Sequence, residues 1–161
     1  MIPRRIQPYF RMIYQKKDGD NSLFEGMLTC CNSHDFEVSV VGDIRNSIFS
    51  KIYLIPENEK IVLAIRCKKC DNAVLVFDNG CDGYEGCRNK QHIHVTTKHI
   101  KCPKCLGDDF SVVVRYDYPN IEELDELEIP EIDNAFTWIW ITLECNKCGT
   151  IYKNFVDCET S

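Results

Sequence analysis

Six of the chain's eleven cysteines fall in pairs separated by two residues: Cys67 and Cys70 in RCKKC, Cys102 and Cys105 in KCPKC, and Cys145 and Cys148 in ECNKC. An adjacent pair, Cys30 and Cys31, comes earlier, with His34 just behind it. This spacing serves redox exchange, metal-assisted catalysis and structural metal binding, so the surrounding residues must decide. A thioredoxin-like role for CPKC needs a helix after the motif in a βαβ setting, whereas residues 109–116 have strand-forming character. A zinc deaminase needs His-x-Glu and Pro-Cys-x-x-Cys; the chain has no His-x-Glu, and Pro103 lies inside its cysteine pair. A catalytic zinc also keeps one position open for water, while Cys102, Cys105, Cys145 and Cys148 supply four ligands. The residues therefore favour a closed, structural site and a protein that is not an enzyme.

The elements that must carry these cysteines repeat along the chain. CCNSHDFEVSV, from Cys30, parallels CPKCLGDDFSVVV, from Cys102: a cysteine cluster, then Asp-Phe (Asp35-Phe36 and Asp109-Phe110), then alternating valines. LAIRCKKCDNAVLVF, ending at Phe77, parallels ITLECNKCGTIYKNF, ending at Phe155. Each half runs cluster, strand, excursion, strand, Cys-x-x-Cys, strand. Val112, Val114, Ile139, Ile141, Leu143 and Ile151 alternate with other residues, as half-buried strands do. Gly149, directly after the last pair, suits a backbone turn of positive φ. Two such turns aim four sulfurs at one point, the tetrahedral set that a structural zinc requires. The second half thus offers Cys102, Cys105, Cys145 and Cys148. In the first half, Cys67 and Cys70 need partners from TCCNSHD. Cys31 and His34 keep the pair spacing, whereas a register anchored on Phe36 and Phe110 sets Cys31 opposite Cys105 and brings in Cys30. Adjacent cysteines strain a shared ion, so the spacing favours Cys31, His34, Cys67 and Cys70.

In these motifs both halves resemble zinc ribbons, the superfamily that includes transcription elongation factors and small RNA polymerase subunits. The resemblance implies a mainly β protein of two tandem zinc ribbons, each a small three-stranded antiparallel sheet around one structural Zn2+, two ions in all. It departs from the family pattern in a long acidic insertion in the second ribbon and in the missing Cys-x-x-Cys of the first. The expected organisation is a basic N-terminal arm over residues 1–22, a first ribbon over 23–80, a linker over 81–98, and a second ribbon over 99–161 with the insertion at 117–134. In the linker, Cys81, Cys87, His92 and His94 form a candidate third metal set. The bland alternative, a polar linker in water, is favoured there, because the two histidines are spaced more tightly than a zinc finger allows.

Charge bears on the partner. Arg4, Arg5, Arg11, Lys16 and Lys17 meet no acid in the first seventeen residues, so a chain of net formal charge −6 carries −11 on the remainder. Such a body repels phosphate backbones. Asp117 to Asn134 holds eight acidic residues and no basic one, with Ile121, Leu124 and Leu127 at helical spacing and Pro130 as a stop. This segment suits a solvated helix or a dock for a basic protein. The rival use is the arm, where Tyr9, Phe10 and Tyr14 interleave with the cations in a manner suited to nucleic acid, although a strand covering an apolar edge is the favoured reading of it. The start lacks the apolar core of a signal peptide, no stretch approaches a membrane span, and paired cysteines inside cells more often hold metal than each other. A cytoplasmic, protein-binding adaptor is the expectation.

Overall fold

The computed structural model describes residues 1–47, 51–91 and 95–161. In chain order the strands are β1 (Phe10–Asp18), β2 (Asn21–Leu28), β3 (Phe36–Val41), β4 (Asp43–Asn46), β5 (Ile52–Ile55), β6 (Val62–Cys67), β7 (Ala73–Asp78), β8 (Lys98–His99), β9 (Phe110–Tyr118), β10 (Trp138–Cys145) and β11 (Ile151–Glu159). Two short α-helices, α1 (Gly83–Arg88) and α2 (Ile121–Glu126), and 3-10 turns at Gln7–Tyr9 and Ile132–Asn134 complete the described elements. The protein is mainly β, with one large antiparallel sheet and a small β4–β5 pair.

The repeat in the sequence is a repeat in the pairing. β3, β6 and β7 form one antiparallel unit, and β9, β10 and β11 form another. Phe36 stands opposite Cys67, and Phe110 stands opposite Cys145. The two units meet where Phe36 pairs with Phe110, which fuses them into a single sheet. Period-two burial explains the choice of faces: Phe36, Val38 and Val40 are buried between half-buried Glu37 and Ser39, and Val112, Val114, Tyr116 and Tyr118 line the inner face of β9. Across the junction Asn146 donates to Asp35 (2.7 Å), and Lys68, its counterpart in the other unit, binds Asp108 (2.7 Å).

Each excursion packs on the opposite unit. The β4–β5 pair lies against β11, and its Ile44 and Ile52 sit with Leu143, Tyr152 and Phe155 around a small apolar cavity. The excursion of the second unit contains α2, capped by Asn120 accepting from the Glu122 N–H (3.0 Å). Leu124 buries against Cys87 of α1, and Phe136 packs on Phe77 of the first unit. α2 ends before Pro130, because Glu128 turns to φ 53°; Leu127 stays exposed.

Residues 1–22 pack onto the sheet, in keeping with the strand reading of the arm. Ile2 and Ile6 are buried in the main core, and β1 forms an edge hairpin with β2, which in turn pairs with β9. Arg5 binds Asp82 with both terminal nitrogens, and Asn72 donates to the Tyr9 hydroxyl (2.8 Å). Phe10 packs on Tyr116. Arg11, Tyr14, Lys16 and Lys17 remain exposed along β1. The segment 81–98, expected as a polar linker, contains α1 and the first residue of β8, with Asp82 and Cys87 buried. Among the described residues no helix is long and apolar enough to cross a membrane.

Candidate metal centres

Three of the four cysteine turns share one backbone design. The first cysteine's N–H donates to the carbonyl five residues on: Cys67 to Asn72 (2.9 Å), Cys102 to Gly107 (2.7 Å) and Cys145 to Thr150 (2.9 Å). Its carbonyl accepts from the residue four on, Asp71, Leu106 and Gly149, each at 2.8 Å. That acceptor geometry requires a left-handed residue after the second cysteine, and Asp71, Leu106 and Gly149 have φ of 61°, 63° and 75°. The turn leaves both sulfurs on one side.

The fourth turn is different. Cys30 and Ser33 exchange both backbone hydrogen bonds at 2.8 Å, and the two residues between them, Cys31 and Asn32, have φ of 54° and 58°. This is a two-residue turn with both central residues left-handed. It closes at Ser33, so His34 falls beyond the turn and is exposed. The structure thus brings Cys30, not His34, to Cys31, Cys67 and Cys70. The strain expected of adjacent cysteines is taken up by the left-handed backbone, which sets their sulfurs 3.9 Å apart. The signal for Cys30 was in the sequence: the alignment of Phe36 with Phe110 already placed Cys31 opposite Cys105.

Within each tetrad the four sulfurs lie inside 4.8 Å of one another. Cys30 is 3.6 Å from Cys70, Cys102 is 3.7 Å from Cys148, and Cys105 is 3.5 Å from Cys145. Sulfurs bound tetrahedrally at about 2.3 Å from zinc would be separated by about 3.8 Å, so the donor sets fit such an ion. Two cysteines of each tetrad are buried, Cys30 with Cys67 and Cys102 with Cys145, while Cys31, Cys70 and Cys148 are exposed. Each centre is therefore sunk into the end of its three-stranded unit.

The surroundings hydrogen-bond the sulfurs. The Tyr152 hydroxyl is 2.8 Å from Cys102, the Cys148 thiol donates to the Thr150 hydroxyl (3.2 Å), and the Gly107 N–H donates to Cys105 at 3.4 Å. The Thr150 hydroxyl and N–H hold the Cys148 thiol down at about 6. A hydrogen bond from Cys31, helped by Asn72, holds Cys70 at about 7. Burial and then the neighbouring sulfurs push Cys30 up to about 12. Burial raises Cys102 too, but Tyr152 and backbone N–H groups outweigh it and lower that thiol. Thiols this close resist sharing negative charge, so one in each tetrad ionises first, and a dication would neutralise the rest.

Of the candidate third set, Cys81 and Cys87 lie among the described residues. The Cys81 thiol donates to the Gln91 carbonyl, the Cys87 thiol to that of Tyr84, and neither joins a group of potential ligands. His92 and His94 lie outside the described residues.

No protein-family model, curated protein or solved structure matches the chain. The fold and the sites define a mainly β protein whose two cysteine tetrads are able to hold structural metal ions and are compatible with zinc-ribbon-like centres.

Proposed function

We propose that the chain is a non-catalytic, cytoplasmic zinc protein that acts as an adaptor for a basic protein partner, its two Zn2+ ions held by Cys30, Cys31, Cys67 and Cys70 and by Cys102, Cys105, Cys145 and Cys148. The observation that carries this reading is the closure of both tetrads: four sulfurs at tetrahedral spacing leave no position for water or substrate. A four-thiolate tetrahedron at the end of a three-stranded sheet suits zinc, and iron is the competing ion that the same geometry accepts.

Charge supports the choice of partner. A dication on four thiolates adds −2 at each site, which takes the formal −6 of the chain to −10. Glu122, Glu123, Asp125 and Glu126 all project from α2 into solvent, a surface suited to steering a basic protein. The nucleic-acid alternative is weakened because Arg5, Tyr9 and Phe10 are engaged in the fold.

Metal analysis after dialysis against a weak chelator should give two equivalents of zinc. One equivalent, or iron in its place, would overturn the metal assignment. Titration with single- and double-stranded DNA and RNA at about 150 mM salt should show no tight binding, whereas a lysine-rich peptide should bind and lose affinity on neutralising the four α2 acids. Tight nucleic-acid binding insensitive to those acids would overturn the adaptor reading.

A further inference from the structure

One cluster outside the tetrads unites metal-ligating side chains from both halves of the chain. Glu37, His99 and Asp108 offer one imidazole nitrogen and two carboxylate oxygens, all within 4.8 Å of one another. Their convergence follows from the pairing at the junction. Glu37 directly follows Phe36, and Asp108 lies two residues before Phe110, so the Phe36–Phe110 bridge draws one carboxylate from each unit to the same place. β8 pairs with β3 through Ser39 opposite His99, and Ser39 shares the outward face of β3 with Glu37. His99 thereby sits diagonally across from Glu37, within reach of a long side chain.

Within the trio the imidazole and the Glu37 carboxylate approach without a hydrogen bond, while Asp108 is held by Lys68. His99 Nε2 and Glu37 Oε2 are 3.9 Å apart, beyond hydrogen-bonding reach. Nitrogen and oxygen bound tetrahedrally at about 2.0–2.1 Å from zinc would be separated by roughly 3.3 Å, so a small inward movement of exposed His99 and half-buried Glu37 brings them to ligand spacing. Two cations compete. Lys68 Nζ binds Asp108 Oδ1 at 2.7 Å, and Arg66 stands opposite Glu37 on β6. The affinity must therefore be far below that of the all-thiolate tetrads.

We propose that Glu37, His99 and Asp108 form a third site, for a borderline divalent cation such as Zn2+ or Co2+, which clips the two three-stranded units and strand β8 together. One nitrogen and two oxygens match that class of ion better than Ca2+ or Mg2+, which take oxygen alone. An ion bound only by the folded junction stabilises it by mass action. The site is independent of the tetrads' identity, since it contains no cysteine.

The test is a calorimetric titration of protein already carrying its two tightly held equivalents, with Zn2+ and then Co2+ as the probe. One further, weaker equivalent is expected, and with Co2+ it should add no thiolate charge-transfer absorption. His99→Ala, Glu37→Gln and Asp108→Asn should each weaken it at least about tenfold while keeping the first two equivalents and the far-UV spectrum. Lys68→Met, which removes the competing cation, should tighten it several-fold. Cys81→Ser and Cys87→Ser should leave it unchanged. The absence of a third binding event, or a third event unaltered by the three ligand substitutions, would overturn the proposal.

Discussion

Replacing Arg5 with methionine tests whether the basic N-terminal segment serves the fold or a ligand. Asp82 is only 1% exposed in its side chain. Its carboxylate accepts from Arg5 Nη1 (2.7 Å) and Nη2, from the Asp78 N–H (2.7 Å) and from Asn134 Nδ2 (3.1 Å). Arg5 also donates Nε to the Leu75 carbonyl (2.8 Å) and Nη2 to that of Val76 (3.2 Å), which ties residue 5 to β7. Burial opposes the charge on Arg5, but the hydrogen bonds and field of Asp82 outweigh it and raise the guanidinium pKa. Methionine keeps the stem and removes the charge, leaving a buried carboxylate with two neutral donors. Breaking such a pair costs about 3–5 kcal/mol. The lower end applies, about 3 kcal/mol, because Arg5 is 34% exposed and water can enter its place. For a chain of this length that corresponds to a fall of roughly 6–12 °C in Tm. Guanidinium denaturation at constant saturating zinc is the assay, and Arg5→Met/Asp82→Asn should lose less than the sum of the single variants. A loss below about 0.5 kcal/mol, the range of an ordinary surface change, would refute the structural role of Arg5 and return it to the pool available for phosphate.

Five further outcomes are expected. Cys30→Ser should release one equivalent of metal while His34→Ala keeps both, as read by elemental analysis; the reverse result would reinstate His34 as the ligand. Cys145→Ser should release the second ion, and hydrogen exchange should show lost protection in β9, β10 and β11 that spreads into β2, because β2 pairs with β9. Tyr152→Phe removes the hydroxyl donor to Cys102 and should lower zinc affinity about tenfold in competition with a chelator, with the fold intact. Leu106, 72% exposed at φ 63°, should gain about 1 kcal/mol on replacement by glycine, and Gly149→Ala should lose about 1 kcal/mol because its φ is 75° while no atom crowds the added methyl.

The second tetrad was legible because each half of it is local. Cys102 with Cys105 and Cys145 with Cys148 are fixed by five-residue turns whose hydrogen bonds and left-handed last residue depend on nothing distant. The three-stranded units were legible for a similar reason, since alternation along β9 and β10 records which face is buried. The first tetrad was legible only in part. Pair spacing pointed to His34, whereas repeat alignment on Phe36 and Phe110 pointed to Cys30, and local spacing alone could not weigh the left-handed turn that lets Cys30 and Cys31 share a centre. The basic segment was ambiguous for the opposite reason: a run of cations and aromatics has the same composition whether it faces phosphate or, as Arg5, Tyr9 and Phe10 do, meets Asp82, Asn72 and Tyr116, and the strand reading favoured for it matches β1.

By itself the sequence determined the cysteine turns, the duplicated strand order and the acidity of the excursion at 117–134, all properties of residues close in the chain. Only the tertiary structure decided that the two units share one sheet through Phe36 and Phe110, that each excursion covers the other unit, and that Glu37, His99 and Asp108 meet. These are pairings between segments tens of residues apart. They are set by which apolar faces must bury one another once the turns have formed, a condition no single stretch of sequence contains.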